Sequence, residues 1–156
     1  MKRKISEMLE KASQLSEDKK YTQALKYYEN ILQIESDNVG VIIDYGVTLQ
    51  NLGYYNQALT TYDKALSLQP KNMNALINKG TVLHTLEKYS EAISCYNIAL
   101  NIDKNNPIAF VYKGLCIGET GNIRLAIKHF KKALSIDNEC ELAEISINTA
   151  NCIMKS

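Results

Sequence analysis

Residues 51–70 read NLGYYNQALTTYDKALSLQP, and residues 85–104 read TLEKYSEAISCYNIALNIDK. Both carry the skeleton Tyr-x-x-Ala-x-x-x-Tyr-x-x-Ala-Leu, 34 positions apart. Weaker copies stand at the same offset: EDKKYTQALKYYENILQIES at 17–36 and ETGNIRLAIKHFKKALSIDN at 119–138. A fixed period of this length marks a chain built from stacked supersecondary units. Four units follow without insertion, at 5–38, 39–72, 73–106 and 107–140.

Aligning the units gives columns. Ala24, Ala58, Ala92 and Ala126 form one, and Tyr28, Tyr62, Tyr96 and Phe130 follow four residues on. Ile31, Ala65, Ala99 and Ala133 come next, then Leu32, Leu66, Leu100 and Leu134. Spacings of 0, 4, 7 and 8 place these columns on one face of a helix. The first half of each unit has its own stripe, from Met8, Ile42, Leu76 and Phe110 to Leu15, Leu49, Leu83 and Ile117. Within it lie Ala12, Gly46, Gly80 and Gly114. A glycine inside a helix costs about 1 kcal/mol, which close approach of a second helix would offset. The alanine column is the expected partner of these small residues.

Punctuation agrees with two helices per unit. Gly53 and Gly121 break the chain inside units, and Asn38, Asn72 and Asn106 stand where N-caps belong. Pro107 suits a first helical turn, and Pro70 a stop after a helix.

The period and the small, aromatic, Ala and Pro positions resemble the tetratricopeptide repeat. Unit two matches best, through Gly46, Leu49, Ala58, Tyr62, Ala65 and Pro70. The resemblance covers residues 5–140. The family's Trp is absent; Met8, Ile42, Leu76 and Phe110 stand there. Lys11, Tyr45, Lys79 and Lys113 replace the motif Leu before the small residue, and unit one has Ala12 and Ile31 for Gly and Ala. The expected fold is all-α: a right-handed superhelical α-solenoid of four 34-residue helix-turn-helix repeats plus a C-terminal capping helix over 141–154, one domain spanning 1–156.

The resemblance implies a concave groove, lined by the first helix of each unit, that binds a peptide or helical segment of a partner protein. Its positions here would be Leu9, Ile43, Asp44, Val47, Ile77, Asn78, Thr81, His84, Val111, Tyr112 and Leu115. Ile43, Val47, Ile77, Val111 and Leu115 would be apolar anchors; Asp44, Asn78 and Tyr112 would orient the ligand. Ile145 continues the first column, and Gly118 stands where it would widen the groove. These columns hold no Lys or Arg, so they suit an apolar or amphipathic helix with a basic end better than an acidic tail. The alternative is a scaffold that self-associates through the groove or the last helix. There Ile147 and Met154 lie on a face with no following helix to cover it.

Other chemistries find little support. The formal net charge is +1, and clustered Lys/Arg for nucleic acid or anionic lipid is lacking. No apolar run approaches the ~18 residues of a membrane span, and ISEMLEKASQ after Lys2–Lys4 is too polar for a signal peptide. The four cysteines form no Cys-x-x-Cys pair and read as reduced thiols of a cytoplasmic protein, with Cys140, in a turn, the most reactive. His84 and His129 have no companion at metal-ligand spacing. GLCIGETG at 114–121 lacks the Gly-Lys-Ser/Thr of a phosphate loop, and IDKNNP at 102–107 lacks the glycine and distal Glu of a calcium loop. The reading is non-enzymatic, with no cofactor and no metal.

Overall fold

The computed structural model describes residues 1–155, apart from the side chain of Lys2. Among them are nine helices: α1 (Lys2–Glu17), α2 (Tyr21–Ile34), α3 (Val39–Asn51), α4 (Tyr55–Leu68), α5 (Met73–Thr85), α6 (Tyr89–Ile102), α7 (Pro107–Glu119), α8 (Ile123–Ile136) and α9 (Glu141–Lys155). Helices α3, α5, α7 and α9 begin where the period places the start of a unit. The fold is all-α, four helix-turn-helix repeats and a C-terminal helix. The chain divides into two compact units, one covering Met1–Asn78 and the other starting at Lys79.

Each turn inside a repeat has the same hydrogen bonds. Tyr54 N–H donates to Leu49 O at 2.9 Å and Gly53 N–H to Gln50 O at 3.0 Å. Lys20, Lys88 and Asn122 repeat the first bond; Lys19, Glu87 and Gly121 repeat the second. This pair of bonds needs a left-handed residue just past the helix end. Gly53 (φ 80°) and Gly121 (φ 92°) supply it without a Cβ, whereas Lys19 and Glu87 are held at φ 59°. Between repeats, Asn38, Asn72 and Asn106 cap the next helix by accepting from Val41, Ala75 and Ala109 N–H at 3.2, 3.0 and 2.9 Å.

The columns become the core. In the first unit Ile5, Ala12, Leu15, Ala24, Tyr28, Ile31 and Val41 form one buried cluster. In the second, Val111, Ile117, Ala126, Phe130, Ala133, Cys140, Ala143 and Ala150 form another. The glycines are required, but by a different neighbour from the one expected. A Cβ on Gly46 would lie 2.6 Å from Tyr62 Cε1, on Gly80 2.5 Å from Tyr96 Cε1, and on Gly114 2.6 Å from Phe130 Cε1. The aromatic column, not the alanine column, lies against the glycines, because a flat ring needs the whole space of a missing side chain.

The last helix also departs from expectation. Ala143 and Ala150 are buried, and Ile147 packs against the core of the second unit. The positions that a following helix would cover are Glu144, Asn148 and Asn151, all exposed. Helix α9 thus turns polar side chains outward at these three positions. Ile147 is withdrawn from the face assigned to self-association; of that pair only Met154 is exposed. Cys140 is likewise buried, and Cys152 is the exposed thiol.

Candidate functional site

The expected groove positions fall into two groups by unit. In the first, Leu9 is half-buried against the core, Val47, Ile77 and Asn78 are half-buried, and Asp44 is exposed. Ile43 retains only 8% exposure. The Asp44 backbone carbonyl accepts from Thr48 Oγ1 at 2.8 Å, which spends the threonine hydroxyl on its own helix. The Asp44 carboxyl forms no ion pair among the described residues, and the part of it screened from water raises its pKa above the ordinary carboxylate value. Its charge also helps to raise the pKa of Tyr62, whose burial is the larger cause.

In the second unit Thr81, His84, Tyr112 and Leu115 are half-buried. Val111 is not accessible at all: at 0% exposure it belongs to the core, and it cannot be a ligand anchor. Position in the column predicted a surface residue, but its side chain packs inward with Phe130 and Ala126. Tyr112 stacks on Tyr96, ring centroids 5.9 Å apart. The His84 ring meets Tyr89 edge-on at 5.5 Å, and His129 Nδ1 lies 3.0 Å from Leu125 O. Cys116 is buried, which pushes its thiol up to about 11 and makes it a poor nucleophile.

The sequence reading missed a concave apolar feature of this unit. Leu115, Gly118 and Glu119 of α7, Ile123, Ala126 and Phe130 of α8, and Leu142, Ile145, Ser146, Thr149, Ala150 and Ile153 of α9 line a cavity of about 370 Å³ that is open to solvent on one side. Ser146 Oγ and Thr149 Oγ1 donate to Leu142 O and Ile145 O at 2.7 and 3.0 Å, so the wall turns both hydroxyls back to its own helix. One signal was available: Gly118 had no role in the repeat. A Cβ there would meet Ala126 Cβ at 3.5 Å, an ordinary contact, so packing does not require this glycine.

Comparisons with known proteins agree with the architecture. Residues 17–99, just over half of the chain, match the family model for anaphase-promoting complex, cyclosome, subunit 3. Residues 113–140 match the model for the tetratricopeptide repeat. No curated protein matches the sequence. Among solved structures, MamA (41-end) from Desulfovibrio magneticus RS-1 superposes with TM-score 0.82 at 22% identity, covering 97% of this chain and 86% of that one. A thermophilic tetratricopeptide protein of Thermus thermophilus, TTC0263, gives TM-score 0.85 at 17% identity, covering 96% and 82%. The first tetratricopeptide domain of Spaghetti (RPAP3), bound to the HSP90 peptide SRMEEVD, gives TM-score 0.69 at 19% identity, covering 76% and 94%. At these identities the likeness is one of fold. With the four 34-residue units, their shared turn and cap bonds and these matches, the chain belongs to the tetratricopeptide-repeat proteins.

Proposed function

We propose that this chain is a non-enzymatic, cytoplasmic protein-interaction module that binds an apolar or amphipathic helical segment of a partner protein on its first helices. The observation that carries this reading is the set of half-buried apolar side chains Leu9, Val47 and Ile77 in the first unit, with Asp44, which forms no ion pair among the described residues, three residues before Val47. Half-buried apolar groups gain from a partner that removes their remaining surface from water, about 25 cal/mol per Å². A carboxylate without a cation favours a ligand that brings one. The RPAP3 domain holds a peptide with two Glu and a terminal Asp. Such a peptide would meet Glu10 and Asp44 here, with no Lys or Arg in the expected groove columns to pair with it.

Selection of a displayed random-peptide library on the full chain tests the reading. Peptides enriched on the wild type should be apolar and basic. They should bind Val47→Glu and Ile77→Glu at least about tenfold more weakly, because a desolvated anchor is worth about 1.4 kcal/mol or more. Circular dichroism melts establish that the variants are folded. Unchanged binding by both folded variants overturns the reading.

A further inference from the structure

The repeat register puts Gln50, His84 and Gly118 at one position, and Tyr62, Tyr96 and Phe130 at another. In the second repeat Tyr62 Oη donates to Gln50 Oε1 at 3.1 Å, which joins the two side chains. In the third, the His84 ring lies against Tyr89, and the buried Tyr96 hydroxyl has no hydrogen bond among the described residues. In the fourth both polar ends are missing together: Gly118 has no side chain and Phe130 no hydroxyl. The apolar cavity of α7, α8 and α9 lies at these two residues.

We propose that this cavity seats two large apolar side chains, one helical turn apart, from a partner peptide helix whose next Lys or Arg pairs with Glu119. The inference rests on the peptide-binding reading above and gives it a specific seat. The volume fits: an apolar cavity of about 150 Å³ takes one benzene-sized group, so about 370 Å³ takes two. Side chains four residues apart on a helix project together. The wall offers no free hydroxyl, since Ser146 and Thr149 already donate to their own helix.

Charge selects the occupant. Glu119 is the one charged residue lining the cavity, and it forms no ion pair among the described residues. It stands in the last turn of α7, the negative end of the helix dipole, where a carboxylate is disfavoured. A ligand cation relieves both conditions at once. An anionic ligand would meet the same carboxylate and be repelled. A second copy of this chain offers from α9 the acidic Glu141 and Glu144, with Lys155 its one basic residue.

Synthetic amphipathic helical peptides test this on the full chain by fluorescence anisotropy. Each carries Leu or Phe at two positions four apart and Lys one turn on. Matched versions carry Glu for Lys, or Ser for both apolar residues. The Lys version should bind about threefold or more tighter than the Glu version, as expected of an exposed ion pair, and the Ser version should not bind. Gly118→Leu fills the cavity; it should raise the melting temperature and weaken the Lys peptide about thirtyfold. Glu119→Lys should reverse the Lys-over-Glu preference. Wild-type affinity in Gly118→Leu, an unreversed preference in Glu119→Lys, or no binding by any peptide up to about 1 mM overturns the proposal. If Val47→Glu and Ile77→Glu abolish binding while Gly118→Leu does not, the peptide reading stands without this seat. If no folded variant alters binding, both fail. A peptide-independent dimer that Gly118→Leu dissociates would assign the cavity to a second copy and overturn it as well.

Discussion

The second and fourth repeats solve one packing problem in opposite ways. Between α3 and α4, Gln50 and Tyr62 meet through a hydrogen bond. Between α7 and α8, the same two positions hold Gly118 and Phe130, and a cavity remains. One turn earlier the two repeats agree: Gly46 and Gly114 are each pressed by the ring opposite. One period can thus keep a small residue at a core position and, one turn along the same helix, leave a position free to be specialised.

That contrast can be broken most strongly by two identical substitutions one turn apart on α7. Gly114→Leu drives a side chain into Phe130 and His129 and should lower stability by about 3 kcal/mol. Gly118→Leu meets only ordinary contacts and should raise it by about 1 kcal/mol through helix propensity. Thermal melts of the pair give the signs directly; equal losses would mean that the two glycines are equivalent.

A transplant sharpens the comparison. Phe130→Tyr alone places a hydroxyl at the pocket without the Gln side chain that accepts from Tyr62 in the second repeat, and should cost about 1 kcal/mol. Adding Gly118→Gln recreates the pair of the second repeat. The double variant should exceed the sum of the singles by about 1 kcal/mol in urea unfolding, the coupling of a direct contact. Additive effects would show that the two positions do not meet.

Turns give a smaller contrast. Lys19 and Glu87 occupy the left-handed position that Gly53 and Gly121 fill in the other repeats. Lys19→Gly and Glu87→Gly should each stabilise by about 1 kcal/mol, the release of a Cβ penalty less the entropy of glycine. A loss of stability on chemical denaturation would show that the penalty is met elsewhere.

The least effect concerns Asp44, which has no counterpart carboxylate at Asn78 or Tyr112. Its pKa is raised by burial, so the folded chain holds the proton more tightly than the unfolded one. The stabilisation is present below the ordinary value of 3.8 and is lost as pH rises through the folded value. Asp44→Asn should therefore flatten a slight fall in melting temperature above pH 3.8. An unchanged pH profile would remove Asp44 as its source.

How much was legible can be followed residue by residue. Asn38, Asn72 and Asn106 announced their caps because that chemistry is local, a side chain bonding a backbone three residues on. The columns announced the helical faces because burial must follow the helix period. Position in a column was a weaker guide to exposure. Ile43 and Val111 were placed in the groove and both belong to the core, and Ile147 is half-buried against the core of the second unit. A column fixes an angle around a helix axis, while exposure depends on how far neighbouring helices reach across that angle.

The sequence by itself determined the repeat, the helix ends and the family, since each rests on interactions within about one 34-residue unit. What required three dimensions was that the glycines face rings, that Glu144, Asn148 and Asn151 are exposed on α9, and that Gly118 and Phe130 border a pocket. The reason is physical. Periodicity states which residues share a face, but the space left between faces is set by the summed volumes of side chains from three helices, and no single helix carries that sum.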